Sequence, residues 1–139
     1  MEILTKRIVL EMIAETDIKD ITHEIENFIS EKKIKNGTAV IFSVGSTAAI
    51  STIEYEPGLM KDIPKALERI APSKIDYEHH KTWHDDNGKS HVRSTIIGSS
   101  LTVPFIDGKL TLGTWQQIVV MNLDTRARER EVIIQLIGE

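Results

Sequence analysis

The second half of the chain constrains the fold most, because strand signals follow one another there with no helical segment between them. Asp107-Gly108 separates two of these strands and is a typical hairpin turn. A parallel doubly wound sheet would need a helix between successive strands. The sequence therefore predicts an α+β fold with a mostly antiparallel sheet. The predicted strands are 91–98, 101–106, 109–112, 116–123 and 130–137.

The first half of the chain predicts two helices set between strands. A length of 139 residues fits one domain, so residues 1–139 are predicted as a single domain. Capping residues, prolines and apolar spacing mark the helices. The first helix is predicted from Thr16-Asp17 to Asn36-Gly37, the second from Pro57-Gly58 to Pro72, strands at 2–12, 38–44 and within 45–56, and an irregular segment at 73–90.

Charge and composition exclude several function classes. The formal net charge is −4 and the pI about 5.7, so no overall positive field attracts nucleic acid or an anionic membrane. The longest apolar runs, Ala39–Phe42 and Ile118–Met121, are too short to span a bilayer, and the N-terminal residues carry no signal-peptide core. We therefore expect a cytoplasmic protein that binds neither nucleic acid nor membrane.

Histidines are concentrated in one segment, and the chain has no cysteine. Four of the five histidines, His79, His80, His84 and His91, fall within residues 79–91. Without thiolates, a transition-metal site must use imidazole and oxygen ligands, which suits Lewis-acid or hydrolytic chemistry. The spacing does not match the His-Glu-x-x-His helix motif. The segment is therefore either a loop whose imidazoles converge on a metal ion or a solvated polar loop.

Other polar groups could complete a site near these histidines. Asp85 and Asp86 could act as a general base or hold a divalent metal, although Asp-Asp-Asn-Gly is also a good turn sequence. Ser46 and Thr47 follow an apolar strand. Their hydroxyls and backbone N–H groups could cradle an anion, or the segment could be a close-packed turn.

Two further motifs suit a phosphorylated ligand that contains a ring. Arg126, Arg128 and Arg130 alternate, so on a strand they share one face, where guanidinium groups would bind phosphate or pyrophosphate. A solvated hairpin end is the alternative, because acidic residues balance the arginines. Trp115 and Gln116 could stack on a ring and hydrogen-bond to it, or could form a bulge with a core tryptophan.

Six short motifs, taken in their order along the chain, carry a family resemblance. They are Tyr77-Glu78-His79, Asp86-Asn87, Ser90-His91, Leu101-Thr102-Val103-Pro104, Gly113-Thr114-Trp115-Gln116 and Gly138-Glu139. Together they resemble the YjbQ-like proteins, often called secondary thiamine-phosphate synthases, over essentially the whole chain. The resemblance implies antiparallel sheet layers with two helices, a homotrimer, and a histidine-rich pocket for a metal or an anion. It also implies a weak synthase activity that joins hydroxymethylpyrimidine pyrophosphate to thiazole phosphate.

The resemblance also assigns roles to single residues. Many members have a histidine where this chain has Gly45. We hypothesise that His84 replaces that imidazole, so that His79, His84 and His91 bind the metal and His80 does not. The other family positions fall on Asp86 and Asn87 (acidic and amide), Trp115 and Gln116 (ring contact) and Glu54 (glutamate after the second strand).

In a synthase, the chemistry is displacement of pyrophosphate by a ring nitrogen, which needs charge stabilisation and orientation. A divalent metal would neutralise pyrophosphate together with Arg130. Zinc is the expected metal, or magnesium for a pyrophosphate substrate. The expected catalytic residues are Asp86, Asn87 and Glu54, and the expected substrate- or anion-binding residues are Ser46, Thr47, Trp115, Gln116 and Arg130.

Two other accounts of function stay open. One is a metal-dependent hydrolase of a small ester or phosphoester, in which Asp85, Asp86 or Glu54 is the base and the metal lowers the pKa of bound water. The other is a non-catalytic trimer that binds a metal or a small anion without turnover. The location of a bound ligand, with or without an open coordination position, discriminates between an enzyme and this third account.

Overall fold

The computed structural model describes residues 1–139, which form eight strands and four helices. The strands are β1 (Glu2–Met12), β2 (Asp17–Asp20), β3 (Gly37–Val44), β4 (Ala48–Ile53), β5 (Ser100–Ile106), β6 (Lys109–Leu110), β7 (Gln117–Asn122) and β8 (Arg128–Gly138). The helices are α1 (Thr22–Lys32), α2 (Pro57–Ile70), α3 (Glu78–Trp83) and α4 (Gly88–Ile97). No helix is both long and apolar enough to cross a membrane.

The strands form two sheets in which every pair is antiparallel. The larger sheet has the order β1-β8-β3-β5-β6, and the smaller has the order β2-β7-β4. The last strand, β8, lies inside the larger sheet, between β1 and β3. The C-terminal strands are therefore not a meander, because β7 enters the smaller sheet and β8 returns to the larger one.

The smaller sheet is buried on both faces, which explains why β7 is a continuous apolar run. Ile118 and Val120 belong to the large core cluster between α1 and the five-stranded sheet. Val119 and Met121 point the other way and join a second cluster with Leu67 of α2. Alternate residues of one strand thus fill two different cores.

The α+β class with antiparallel sheets is confirmed, and the strongest local signals are correctly placed. Asp107 and Gly108 have φ values of 51° and 77°, and they connect Ile106 of β5 to Lys109 of β6 as a hairpin. The helix α2 begins at Pro57, as predicted, and the carboxylate of Glu56 caps it by accepting from the backbone N–H groups of the next turn.

The predicted start of the first helix is wrong. Residues 17–20 form the strand β2, which pairs with β7, and α1 begins at Thr22. Ile18 and Ile21 are three residues apart, which fits a helical face, but here the strand ends between them. At its other end α1 stops at Lys33, which adopts a left-handed conformation with φ of 55°, before the predicted Asn36-Gly37 stop.

The irregular segment at 73–90 and the strand at 91–98 are also wrong, because α3 and α4 occupy this part of the chain. The structure therefore has four helices where the sequence predicts two. His84 and Asp86, with φ values of 57° and 55°, separate α3 from α4. The β-branched residues of α4 favour a strand intrinsically, but its tertiary contacts override that preference.

Candidate functional site

Helix α4 is attached to β4 in a way that brings its first turn to the β3–β4 turn. The hydroxyl of Ser94 donates to the carbonyl of Ala48 at 2.6 Å, and the N–H of Ile50 donates to the carbonyl of Gly98 at 3.1 Å. His91 is about one helical turn before Ser94. It therefore lies at the Thr47 end of the strand.

An imidazole cluster, formed by His79, Asp85, Asn87 and His91, lies where α3 meets α4. The ring centroids of His79 and His91 are 4.4 Å apart, and Nε2 of His79 is 3.4 Å from Oδ1 of Asp85. Asn87 is buried, and with its amide nitrogen facing the acceptors it donates to Oδ1 of Asp85 at 2.9 Å and to Nε2 of His79 at 3.1 Å. The buried amide thus fixes both a carboxylate and an imidazole.

Gly88 permits the close approach of the two helices on which this cluster depends. A Cβ atom at Gly88 would lie 2.5 Å from the Cβ of Tyr77, which precedes α3. The hydroxyl of Tyr77 also donates to the carbonyl of Pro72 at 2.7 Å and holds the residue in place. A side chain larger than hydrogen at residue 88 would therefore push α3 and its His79 away from α4.

The environment of His91 favours the neutral imidazole. Its pKa is lowered mainly by burial and also by the neighbouring His79, while the carboxylates of Asp85 and Asp124 act in the opposite direction. Because the pKa lies below the usual histidine value, His91 is uncharged near pH 7. It can accept a proton there, as a general base must.

A second group, the arginine network of Thr47, Asn122, Asp124 and Arg130, lies beneath the β3–β4 turn. Nη2 of Arg130 donates to the carbonyl and the hydroxyl of Thr47 at 3.0 and 2.7 Å, and Nε and Nη2 both donate to Oδ1 of Asn122. The Thr47 hydroxyl donates in turn to Asp124 at 3.0 Å. The structure thus brings together Thr47 and Arg130, two predicted anion-binding residues, although Thr47 is buried.

The three alternating arginines do not act as one face. Nε of Arg128 donates to Oδ2 of Asp124 at 2.9 Å, whereas Arg130 is directed into the protein and Arg126 is exposed. Burial raises the pKa of Asp124, but hydrogen bonds from Arg128, Thr125 and Thr47 outweigh it and leave the pKa below its usual value. Asp124 is therefore an ionised carboxylate that forms its salt bridge with Arg128.

His84 does not join His79 and His91. It ends α3 in a left-handed conformation, is exposed, and lies edge-to-face with His80 at a centroid distance of 5.6 Å. No three or more His, Asp or Glu side chains in the chain are grouped as a metal ion requires. The three-imidazole arrangement expected of His84 is thus not formed, because the backbone turns at His84 itself.

The carboxylate beside the imidazoles is that of Asp85, whereas Asp86 is the carboxylate that we expected to be catalytic. Asp86 is exposed, and its backbone N–H donates to Nδ1 of His80 at 3.2 Å. His80 therefore holds the loop between the helices with its free electron pair. The sequence offered no signal to choose between adjacent aspartates, because the left-handed backbone at Asp86 decides which one faces His79.

Trp115, Gln116 and Glu54 lie at the other end of β4. Gln116 donates to the hydroxyl of Thr52 at 3.0 Å, and Trp115 is 72% exposed, so it is not a core residue. The six residues of β4 separate this end from Thr47 by roughly 17 Å. Within one chain, these three predicted residues do not meet the imidazole cluster.

The two largest clefts of the chain lie away from both groups. One of about 410 Å³ is lined by Met12, Ile13 and Arg128 among others, and one of about 400 Å³ is lined by Tyr55 and Met60 among others. Neither contains a histidine or Arg130. The imidazole cluster is thus an open surface site.

A further network of hydrogen bonds and ion pairs links α4 to the end of α2 and to the segment after β1. Arg93 is buried and donates to the carbonyl of Ala71 and to Oε2 of Glu68, while Ser73 donates to Glu68 through both its hydroxyl and its backbone N–H. Lys89 adds a link from α4 to Glu15 at 2.7 Å. Sequence analysis missed these residues because nothing in their spacing distinguishes them from solvated charges.

This network predicts a stability loss in acid. The hydrogen bonds from Ser73, joined by Arg93 and opposed by desolvation, lower the pKa of Glu68 from 4.5 to about 2. A carboxylate with a depressed folded-state pKa stabilises the protein above pH 4.5 and loses that contribution as the pH falls towards 2. We expect Glu68→Gln to show a smaller drop in the free energy of unfolding between pH 5 and pH 2 than the wild type, as measured by urea denaturation.

Glu31→Gln is the matched control, since Glu31 is exposed on α1 and forms no ion pair. This variant should retain the pH dependence of the wild type. Equal pH dependence in Glu68→Gln and the wild type would contradict the assignment.

Fold and site together define a class: a small α+β protein with an imidazole–carboxylate cluster beside a buried arginine. Residues 6–139 match the family model of the UPF0047 protein YjbQ-like family. The chain belongs to this family. It is 35% identical to a UPF0047 protein of Methanothermobacter thermautotrophicus over 139 residues, which is 100% of this chain and 95% of that relative.

Solved structures agree with this assignment. A YbjQ-like protein of unknown function from Sulfolobus solfataricus P2 has a TM-score of 0.93 and 33% identity, with 99% of both chains covered. A hypothetical protein from Aeropyrum pernix K1 has a TM-score of 0.90 and 32% identity, with 100% of both chains covered. The YjbQ-like fold is thus shown over the full length of the chain.

Proposed function

We propose that the chain binds a small phosphorylated substrate between the imidazole cluster and the arginine network and has a secondary thiamine-phosphate synthase activity. One observation carries the proposal: the neutral imidazole of His91 interacts electrostatically with Asp124, and Asp124 accepts from Thr47, which in turn accepts from the buried guanidinium of Arg130. Such a combination can bind a phosphate and move a proton next to it. The reaction itself follows from the family resemblance stated above.

In this reaction, a thiazole nitrogen forms a bond to the methylene carbon of the pyrimidine while the bond to pyrophosphate breaks. Negative charge therefore builds up on the leaving pyrophosphate. Arg130 would stabilise that charge, and the exposed hydroxyl of Ser46 would donate to it. This step releases no proton, so His91, which is neutral near pH 7, would donate its ring N–H as a hydrogen bond to the leaving pyrophosphate. Asp85 and Asn87 would keep His79 oriented.

A divalent metal, zinc or magnesium, would neutralise further charge on pyrophosphate. His79, His91 and Asp85 are the nearest nitrogen and oxygen donors, but they are not grouped as a metal site requires. The roles proposed above therefore use only side chains of the chain.

The synthase assignment is tested by incubating purified, tag-free protein with both substrates, with and without zinc or magnesium. We expect slow formation of thiamine phosphate, detected by chromatography. No product under any of these conditions would remove the synthase assignment. Metal analysis of the same tag-free protein measures whether an ion copurifies.

The lowered pKa of His91 also favours a second candidate, a hydrolase of a small ester or phosphoester. In that case His91 removes a proton from water, and the charge of Asp85, in place of the expected Asp86 or Glu54, stabilises the protonated imidazole. Generic phosphoester substrates assayed in parallel distinguish the two activities.

We further propose that the chain forms a homotrimer through the outer face of the five-stranded sheet. The side chains of Ile3, Val9 and Phe42 are 68%, 58% and 40% exposed on this face. Apolar side chains exposed together commonly mark an interface between chains. Analytical ultracentrifugation should give three times the chain mass of 15.7 kDa. A mass of one chain would contradict the proposal.

A further inference from the structure

We propose that Gly45 opens an oxyanion-binding site on the buried guanidinium of Arg130, where a phosphate group supplies the directly hydrogen-bonded anion that the chain does not. The proposal rests on the function proposed above and deepens it, since it names the atom that receives the phosphate. It also identifies Gly45 as the residue that admits the ligand.

No carboxylate is hydrogen-bonded to the buried guanidinium of Arg130. Burial lowers the pKa of Arg130, and the negative charge of Asp124 only partly offsets that effect. Arg130 is 6% exposed, and all its hydrogen-bond acceptors, on Thr47 and Asn122, are neutral. Both carboxylate oxygens of Asp124 are already used by Thr47, Arg128 and Thr125. A buried guanidinium is normally paired, because removing its charge from water is unfavourable.

One nitrogen of this guanidinium is free. Nε and Nη2 make the hydrogen bonds described above, whereas Nη1 donates to no atom of the protein. The buried side-chain polar atoms that lack a partner are the hydroxyls of Ser43 and Ser90, so Nη1 is not among the atoms closed off from solvent. Its N–H groups can therefore reach a ligand.

Gly45 is the reason that Nη1 can be reached. A Cβ atom at residue 45 would lie 3.0 Å from Nη1, which is the distance at which a ligand oxygen would accept its hydrogen bond. Gly45 is exposed and has a φ of +130°, a conformation that side-chain-bearing residues rarely adopt. The same glycine thus shapes the turn and leaves the guanidinium open.

Phosphate fits this opening better than a carboxylate does. Only one guanidinium nitrogen is free, so the bidentate pairing that favours carboxylates is not available. A phosphate can accept from Nη1 with one oxygen and present its others to the exposed hydroxyl of Ser46 and to solvent. The greater negative charge of phosphate also suits Arg130, a cation that has no hydrogen-bonded counterion.

The test is a titration of isotope-labelled protein with inorganic phosphate, followed by NMR of the arginine side-chain N–H signals. We expect the Arg130 signals to shift and saturate. Those of Arg93, which is buried but already paired with Glu68, should remain unchanged. Acetate titrated in parallel should shift Arg130 at least about tenfold more weakly.

Two glycine variants separate the open site from backbone strain. Gly45→Ala should weaken phosphate binding about tenfold or more, because its methyl group occupies the ligand position. Gly98→Ala is the matched control, since Gly98 also has a positive φ, +97°, but a Cβ there meets no atom within 4 Å. It should bind phosphate as the wild type does.

The outcomes are decisive even if Gly45→Ala fails to fold, because the wild-type titration alone can overturn the proposal. No shift of Arg130 in phosphate, equal binding of acetate, or wild-type affinity in folded Gly45→Ala would each do so. Phosphate binding at Arg130 without formation of thiamine phosphate would leave the site in place and remove only the proposed synthase activity.

Discussion

Replacing His91 with glutamine is expected to lower the rate of phosphoester hydrolysis about 100-fold, the usual contribution of a positioned acid–base group. Glutamine keeps a polar side chain of similar length but cannot exchange a proton near neutral pH. The structural reason is the position of the His91 ring, 4.4 Å from that of His79 and beside Asp85. The measurement is the initial rate of product formation at fixed substrate concentration.

The pH profile of the wild type adds a signature that a structural role would not give. Because the pKa of His91 is lowered, its neutral form persists below the ordinary value of 6.5. The rate of the wild type should therefore stay constant as the pH is lowered to 6.5 and should decrease only at lower pH. The residual rate of His91→Gln should not show this decrease.

Two further histidines serve as controls for this prediction. His23 is exposed on α1, outside both groups, so His23→Gln should keep the wild-type rate. His84→Gln separates two mechanisms. A metal site that includes His84 predicts a loss of activity in this variant, whereas the acid–base cluster described here predicts none. A full rate in His91→Gln would contradict the role of His91.

Replacing Asn122 with alanine is expected to lower the free energy of unfolding by about 3 kcal/mol. Asn122 is fully buried, and its Oδ1 accepts from Nε and Nη2 of Arg130 and from the backbone N–H of Asp124. Its Nδ2 donates to the carbonyls of Ile13 and Arg126. Alanine removes all of these hydrogen bonds and leaves the buried guanidinium of Arg130 with Thr47 as its one remaining hydrogen-bond partner.

Urea denaturation followed by circular dichroism measures the change. Asn36→Ala is the matched control, because Asn36 is exposed and its side chain accepts a single hydrogen bond, from Asp107 at 3.2 Å. Its loss should stay below about 1 kcal/mol. If Asn122→Ala were no less stable than this control, the arginine network would not contribute to the free energy of unfolding as predicted.

Local signals in the sequence predicted those parts of the fold that local interactions form. The hairpin at Asp107-Gly108 needs only its own backbone geometry. Helix α2 can be recognised from Pro57 at its first position and from Met60, Ile63 and Leu67 on one face. These three apolar side chains pack in the second core cluster. No distant contact is needed to recognise either element.

The helix α4 was missed because its polar side faces inward. Ser90, Arg93 and Ser94 are buried, whereas Val92 and Ile96 are exposed. Apolar periodicity assumes the opposite arrangement, so the pattern of this helix resembled a strand. Arg93 and Ser94 are satisfied by distant groups, Glu68, Ala71 and Ala48, which sequence spacing does not connect.

The candidate site was predictable in its residue types but not in its pairings. His79, His91, Thr47 and Arg130 were singled out from the sequence, and the structure places them at the same end of α4 and β4. The choice of Asp85 over Asp86 depends on a left-handed residue that no local motif marked. The distance between the Trp115 segment and Thr47 depends on the length of β4. That length matters only once it is known that the two lie at opposite ends of this strand.

The position of β8 between β1 and β3 has a consequence for the time course of biosynthesis. β1 pairs only with β8, and β3 needs β8 on one side, so the first strand to leave the ribosome waits for the last. During translation β1 is an unpaired edge, and the five-stranded sheet can close only after the rest of the chain has been made. Such long-range pairing is slow and leaves strand edges exposed to other chains.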